Sequence, residues 1–226
     1  MIVAERKPFD EIVDSVSNFK RVLVVGCGTC VAVCLTGGEK EAGILAAELE
    51  IASQIADRDQ TFAIACVERQ CDREFLDELK SLAPNYDALL SLACGAGIQF
   101  LAERFPDKPV LAGVNTTFIG VNEDVGLWTE RCRACTDCVL SMTGGICPVA
   151  LCPKGLLNGP CGGMTDGRCE TDPERECAWV MIYQRLEETG RLDNIRPIEP
   201  PRDYSRASLP GRQVHVAYQR RYQADG

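Results

Sequence analysis

The chain has 226 residues, of which 14 are cysteine and one is histidine, and its formal charge is −9 at pH 7. That length suffices for one ordinary α/β domain with a small appendage, so a core forms without disulfide staples, and the acidic balance argues against nucleic acid, whose phosphates need clustered Lys and Arg. The sequence shows no basic-then-apolar leader and no apolar run of membrane-spanning length; the expectation is a cytoplasmic protein with no membrane partner, where a dense thiol set is more often metal-binding or catalytic than disulfide-forming.

Residues 1–125 read as an α/β domain. Four apolar runs bounded by turn signals predict buried strands: RVLVVGC (21–27), TFAIACV (61–67), DALLSLAC (87–94) and KPVLAGVN (108–115). Helical spacing lies between them. Ile44, Leu45, Leu49, Ala52 and Ile55 mark a helix within 37–59, Phe75, Leu76, Leu79 and Leu82 one over 72–83, and GIQFLAERF a third over 97–105. Strand and helix alternating at this interval predict a parallel, doubly wound sheet of about four strands, covered on both faces. From 126 to 190 the pattern gives way to a Cys-, Gly- and Pro-rich appendage closed by one amphipathic helix, with Trp179, Ile182, Tyr183 and Leu186 on a face. Residues 191–226 read as an extended tail, rich in Pro, Arg and Tyr, of the kind that wraps a partner subunit.

In an open parallel sheet, function gathers beyond the carboxyl ends of the strands. The first three predicted strands end in cysteine there: Cys27 with Cys30 and Cys34 behind it, Cys66 with Cys71, and Cys94. The run GCGTC is no dinucleotide fingerprint, because Val31 stands where the third glycine belongs. Cys66 lies within the apolar run of its strand and reads as a small buried hydrophobe. For Cys27, Cys30, Cys34, Cys71 and Cys94 three readings stand: ligands of an iron–sulfur cluster, a redox pair at Cys27 and Cys30, or simple burial.

The second set is denser. Cys132, Cys135 and Cys138 are separated by two residues each, Cys147 follows after eight, and Cys152, Cys161, Cys169 and Cys177 complete eight thiols. A C-x2-C-x2-C run lets one loop wrap three irons of a cubane while a distant Cys, often before Pro, supplies the fourth ligand; both Cys147 and Cys152 precede proline. Eight ligands serve two [4Fe–4S] clusters, so the chain as a whole is expected to hold two or three. The eight-residue gap departs from ferredoxin spacing and leaves the pairing open. Gly144, Gly145, Gly155, Gly159, Gly162 and Gly163 suit loops whose backbone N–H groups approach inorganic sulfur. Zinc is the alternative for these eight cysteines, although structural zinc favours separated C-x2–4-C pairs; a disulfide framework is a third reading.

The sole histidine, His215, lies in the tail, which excludes a His-based triad or an imidazole base beside the thiols. There is no P-loop, and the Glu187/Glu188 pair reads as a solvated helix face. No catalytic residue is expected on this chain.

The segments VGCGTCVAVCLTGGE, ERQCD, LACGAGIQ, ERFPDKPVLAGVNTTFIG, CRACTDCVL, TGGICPVALCPKGLLNGPCGG and CAWVMIYQRL together resemble the MetV family, the small cysteine-rich subunits of two-subunit methylenetetrahydrofolate reductases, over about residues 1–195. The resemblance implies a partner of the MetF type, a (β/α)8 barrel that carries FMN, binds the folate and performs the hydride chemistry. It also implies that the thirteen cysteines other than Cys66 are cofactor ligands. Together with the spacing, it predicts an electron-transfer subunit that passes electrons singly to the partner's flavin, which reduces 5,10-methylenetetrahydrofolate to 5-methyltetrahydrofolate. The alternative is a zinc- or cluster-stabilised assembly subunit that activates MetF by contact. Alone the chain is expected to be inactive, and its electron donor, a ferredoxin or another carrier, is not legible in the residues.

Overall fold

The computed structural model describes residues 1–208 and 211–222; Leu209, Pro210 and residues 223–226, which fall in the predicted extended tail, lie outside the described residues. Two units emerge, Met1–Glu130 and Arg131–Gly226.

The first contains β1 (Ile2–Arg6), α1 (Phe9–Val16), β2 (Arg21–Cys27), α2 (Cys30–Val33), α3 (Glu39–Ile55), β3 (Thr61–Val67), α4 (Arg73–Leu76), β4 (Ala88–Ser91), α5 (Gly95–Arg104), β5 (Val110–Ala112), β6 (Val114–Asp124) and β7 (Leu127–Cys132), the last ending just past the unit boundary. Four strands form the expected parallel sheet in the order β3-β2-β4-β5. Side chains alternate across β2, so Val22 and Val24 join Ile12, Leu45 and Leu49 on one face, while Leu23 and Val25 join Leu76, Leu79 and Leu101 on the other. Both faces are therefore covered, as a parallel sheet requires.

The expectation of four buried strands holds for β4 and for all of β2 after Arg21, but β3 is an edge strand in which only Val67 is buried and Ile64 is 47% exposed. The predicted helix over 72–83 breaks after Leu76 into 3-10 turns at Asp77–Leu79 and Ala83–Asn85, consistent with Pro84, which cannot donate to a helical ladder. In α3 the buried face is Ala42, Leu45, Ala46, Leu49 and Ser53, whereas Ile44 and Ile55, expected to share it, are exposed. A second sheet, β1-β6-β7, was not expected. Residues 115–124 have only the short apolar stretch Phe118–Val121 between polar residues, and their partner β1 is more than a hundred residues away in sequence.

Two contacts fix the sheet's ends. Asp87 accepts from Arg21 N at 2.8 Å and from Arg21 Nη2 at 2.9 Å, and these hydrogen bonds hold its carboxyl below the ordinary value. The folded value being the lower one, this pair stabilises the fold above the unfolded carboxylate range of about 3.9 and is lost as pH falls through the depressed value. Asp87→Asn should therefore remove part of the acid-limb slope of stability, measured by urea unfolding at pH 3 to 6 as a rough window. At the other end, Gly37 accepts from Cys27 N at 2.8 Å, and a Cβ on Gly37 would stand 2.0 Å from the backbone oxygen of Leu92. Backbone cannot yield as a side-chain tip does, so Gly37→Ala should cost on the order of 3 kcal/mol, seen as a lower urea midpoint with an unchanged slope.

The second unit contains α6 (Pro148–Leu151), a small hairpin of β8 (Arg168–Cys169) and β9 (Asp172–Glu176), and α7 (Ala178–Glu188). Its core is small: Cys177, Trp179, Ile182 and Leu186, flanked by Ile146, Leu156, Val180, Leu192 and Ile195. Tyr183, expected on that face, is 47% exposed. The tail is not extended throughout. It makes helical turns at Leu192–Ile195, α8 (Ser205–Ser208), Val216–Tyr218 and α9 (Gln219–Tyr222). Among the described residues no helix is long and apolar enough to cross a membrane.

Candidate functional site

Strand order reverses between β2 and β4, and at such a switch point the connections leave to opposite faces and open a crevice at the carboxyl ends. Gln70 plugs it. Fully buried, it donates from Nε2 to Val25 O at 2.8 Å and to Gly26 O at 3.1 Å, and its Oε1 accepts from Ser91 Oγ at 2.6 Å. Ser91 Oγ in turn accepts from Ala93 N at 3.2 Å. The glutamine thus ties the loop after β3 to the ends of β2 and β4, and the next residue is Cys71. Sequence reasoning passed over Gln70; its signal was a polar residue beside a candidate ligand at a strand end. Gln70→Ala would leave buried carbonyls and a hydroxyl unpaired, lowering stability by about 1–3 kcal/mol. A thermal melt checks this.

Around that crevice Cys27 ends β2, Cys30 opens α2 and Cys94 precedes α5 at its N-cap. Cys71 is exposed at its surface side, yet partial desolvation of the sulfur, followed by the neighbouring Cys94, Cys27 and Cys30, pushes its thiol up. Three other cysteines are thus near enough to influence Cys71. Thiolates brought together in this way repel one another, and a cationic centre relieves the repulsion.

Cys34 and Cys66 are placed differently. Cys34 is buried, its Sγ lies 3.5 Å from Ile2 O, and burial pushes its thiol up, with Cys30 adding to the shift. It lines a cavity of about 590 Å³ between β1 and α3, together with Thr36, Ile44 and Trp128. Cys66 points across to Gly26, and burial raises its thiol first, with Cys27 next.

In the second unit, Cys152, Cys161, Cys169 and Cys177 line one small apolar pocket with Pro153, Met164 and Trp179. Elements converge to make it. Cys177 N donates to Gly167 O at 2.8 Å, which closes the hairpin under α7, and Trp179 Nε1 donates to Leu156 O at 3.0 Å, which draws the loop between Cys152 and Cys161 over the helix. Thr171, 3.2 Å from Cys169 Sγ, lowers that thiol by hydrogen bonding.

Cys132, Cys135 and Cys138 share a tight loop in which Ala134 and Thr136 take positive φ of 49° and 63°. Neither is glycine, so each is strained in a left-handed conformation by about 1–3 kcal/mol. The strain aims backbone at sulfur, since Ala134 N donates to Cys132 Sγ at 3.3 Å. Arg202, from the tail, donates from Nη1 to Cys135 Sγ at 2.7 Å and from Nη2 to Asp137 O. Burial opposes the guanidinium charge, but the bond to Cys135 and the charges of Cys135 and Asp137 hold Arg202 above its ordinary value. Cys147 stands at the start of α6. Five of the glycines singled out for cluster loops, Gly144, Gly145, Gly155, Gly159 and Gly162, adopt positive φ.

The donors are thiols, a set that suits iron–sulfur clusters or zinc. Among the described residues no three His, Cys, Asp or Glu side chains stand in ligation geometry, so the fit rests on donor chemistry and convergence. His215 is remote from this chemistry in the tail, its Nδ1 accepting from Ala217 N at 3.2 Å, and Glu187 and Glu188 are exposed on α7.

Residues 111–205 match the family described as methylene-tetrahydrofolate reductase C terminal. This stretch of the chain, under half of its length, is similar to that family. No curated protein and no solved structure matches the chain. The methylenetetrahydrofolate reductase C-terminal segment runs from β5 to the start of α8 and includes the eight cysteines from Cys132 to Cys177 together with Arg202. It agrees with the family that the sequence motifs resemble. Cys27, Cys30, Cys71 and Cys94 precede it.

Proposed function

We propose that this chain is the iron–sulfur electron-transfer subunit of a methylenetetrahydrofolate reductase, delivering electrons to a flavin on a MetF-type partner. One feature supports the reading: of the 14 cysteines, twelve are assigned in this proposal to three sets of four. Cys27, Cys30, Cys71 and Cys94 gather at the sheet's switch point; Cys152, Cys161, Cys169 and Cys177 line one pocket; Cys132, Cys135, Cys138 and Cys147 are the remaining four of the family segment. A [4Fe–4S] cluster takes four thiolates and supplies one-electron transfer when bound.

The rest is the work of the chain's own residues. Gln70 holds Cys71 against the ends of β2 and β4. Trp179 and Met164 line the pocket with Cys152 and Cys177, and Ala134 N–H donates to Cys132 Sγ. Reduction of the methylene bridge takes two electrons and two protons, and a hydride donor must be held against the folate. With no catalytic group assigned here, that step belongs on the partner. The purified chain is expected to turn over no methylenetetrahydrofolate by itself, even with a low-potential reductant, and activity is expected when flavin-loaded MetF is added. Anaerobic metal analysis tests the premise: about twelve iron and twelve acid-labile sulfide per chain, with visible absorbance bleached by dithionite, supports it. A colourless zinc protein that still activates MetF would instead establish the assembly-subunit alternative.

A further inference from the structure

Arg202 lies sixty-four residues beyond Cys138, yet its guanidinium reaches Cys135. The path that delivers it is built. Asn158, in the loop between Cys152 and Cys161, clamps the tail through two hydrogen bonds, Asn158 Nδ2 to Glu199 O at 3.0 Å and Glu199 N to Asn158 Oδ1 at 2.7 Å. Pro200 and Pro201 follow, each with φ locked by its ring, so the chain leaves the clamp in a restricted direction. Arg202 comes next and grips the Cys132–Cys138 loop twice, at Cys135 Sγ and at Asp137 O. Its Nε is buried without a hydrogen-bond partner. Two prolines and a two-bond clamp aim one cation at one sulfur.

We propose that Arg202 is a positioning residue that raises the reduction potential of the cluster held by Cys132, Cys135, Cys138 and Cys147. This rests on the iron–sulfur reading above. An added electron makes the cluster and its sulfurs more negative, so a fixed positive charge and an N–H donor at a ligand sulfur favour the reduced state. Arg is suited to the task because it stays charged and its planar fork holds the sulfur and a carbonyl together. The Asp137 carboxylate is the nearby negative charge and offsets the effect only in part, because the tail contributes the guanidinium on the sulfur itself. The tail thereby links the two cysteine loops of its unit, held by Asn158 beside one and reaching Cys135 in the other.

The test uses the full chain, purified anaerobically with its iron, in a dithionite-poised redox titration followed by electron paramagnetic resonance. Arg202→Gln keeps donors and removes the charge. At a fixed poise it should lower the reduced-to-oxidised ratio of one cluster about tenfold, a shift of 59 mV for one electron, with iron content unchanged. Arg202→Lys, which restores the charge without the fork, should recover part of the shift. Asn158→Ala, which frees the tail without touching the guanidinium, should move the same signal in the same direction. An Arg202→Gln chain with full iron and an unshifted titration overturns the proposal while leaving the iron–sulfur reading intact. Loss of about four iron atoms in that variant overturns it in favour of a purely structural role. A wild-type chain without iron removes both.

Discussion

Stripping metal from the anaerobically prepared chain is expected to unfold residues 131–208 while the parallel sheet stays folded. The amino-terminal unit has two cores, one on each face of β2 and β4, with Ile12, Leu45 and Leu49 on one side and Leu76, Leu89 and Leu101 on the other, all fully or almost fully buried. The carboxyl-terminal unit buries Trp179, Ile182, Leu186 and the cysteine Cys177. Below about 70–80 residues a core of that size rarely supplies more than a few kcal/mol without a staple, and metal binding then becomes folding energy. Strain at Ala134 and Thr136 adds to what the apo loop must bear. Hydrogen exchange followed by peptide should show α7 amides losing protection on chelation while β2 and β4 amides keep theirs. Retained protection in α7 would mean that the four-residue core suffices, and the thiols would then need another explanation.

Replacing Cys94 with alanine should remove about four iron atoms and slow electron delivery to MetF while leaving MetF's affinity for the folate unchanged. Cys94 is only partly buried, and no side-chain cap bond is lost with its sulfur, so the fold should tolerate the change. The loss falls on the site alone. The cysteines left beside Cys71 would be Cys27 and Cys30, and a cubane with three protein ligands is an open, labile site. Iron analysis, stopped-flow reduction of the partner's flavin and folate titration separate the effects. Unaltered iron would remove Cys94 from the set; loss of folate binding without a change in electron entry would contradict the division of labour between the subunits.

Much of this was legible in the residues. The run RVLVVGC gave β2 to the residue, and TFAIACV gave β3, because a short apolar stretch between turn signals is local information. The convergence of Cys27 and Cys94 at the carboxyl ends of the sheet was legible too, because each lies at or just beyond the end of a local apolar run. The helix over 97–105 appeared as α5, and the Trp179, Ile182 and Leu186 stripe became the core of the second unit.

What the chain could not announce were the pairings between distant segments. In the β1-β6-β7 sheet β1 pairs with residues more than a hundred positions away, and a mostly polar strand such as β6 carries no sign of its partner. Whether β3 lay at the edge depended on strand order, which also decided that Ile64 is exposed. That Cys152, Cys161, Cys169 and Cys177 line one pocket depended on β8, α7 and the loop after Cys152 coming together. Gln70 and Arg202 escaped notice for the same reason, since a side chain's role here is defined by what it reaches and both reach residues more than twenty positions away. Periodicity and residue chemistry, being local, were determined by the sequence alone; the partners of each strand, thiol and buried polar group were decided only when chain topology brought distant positions together.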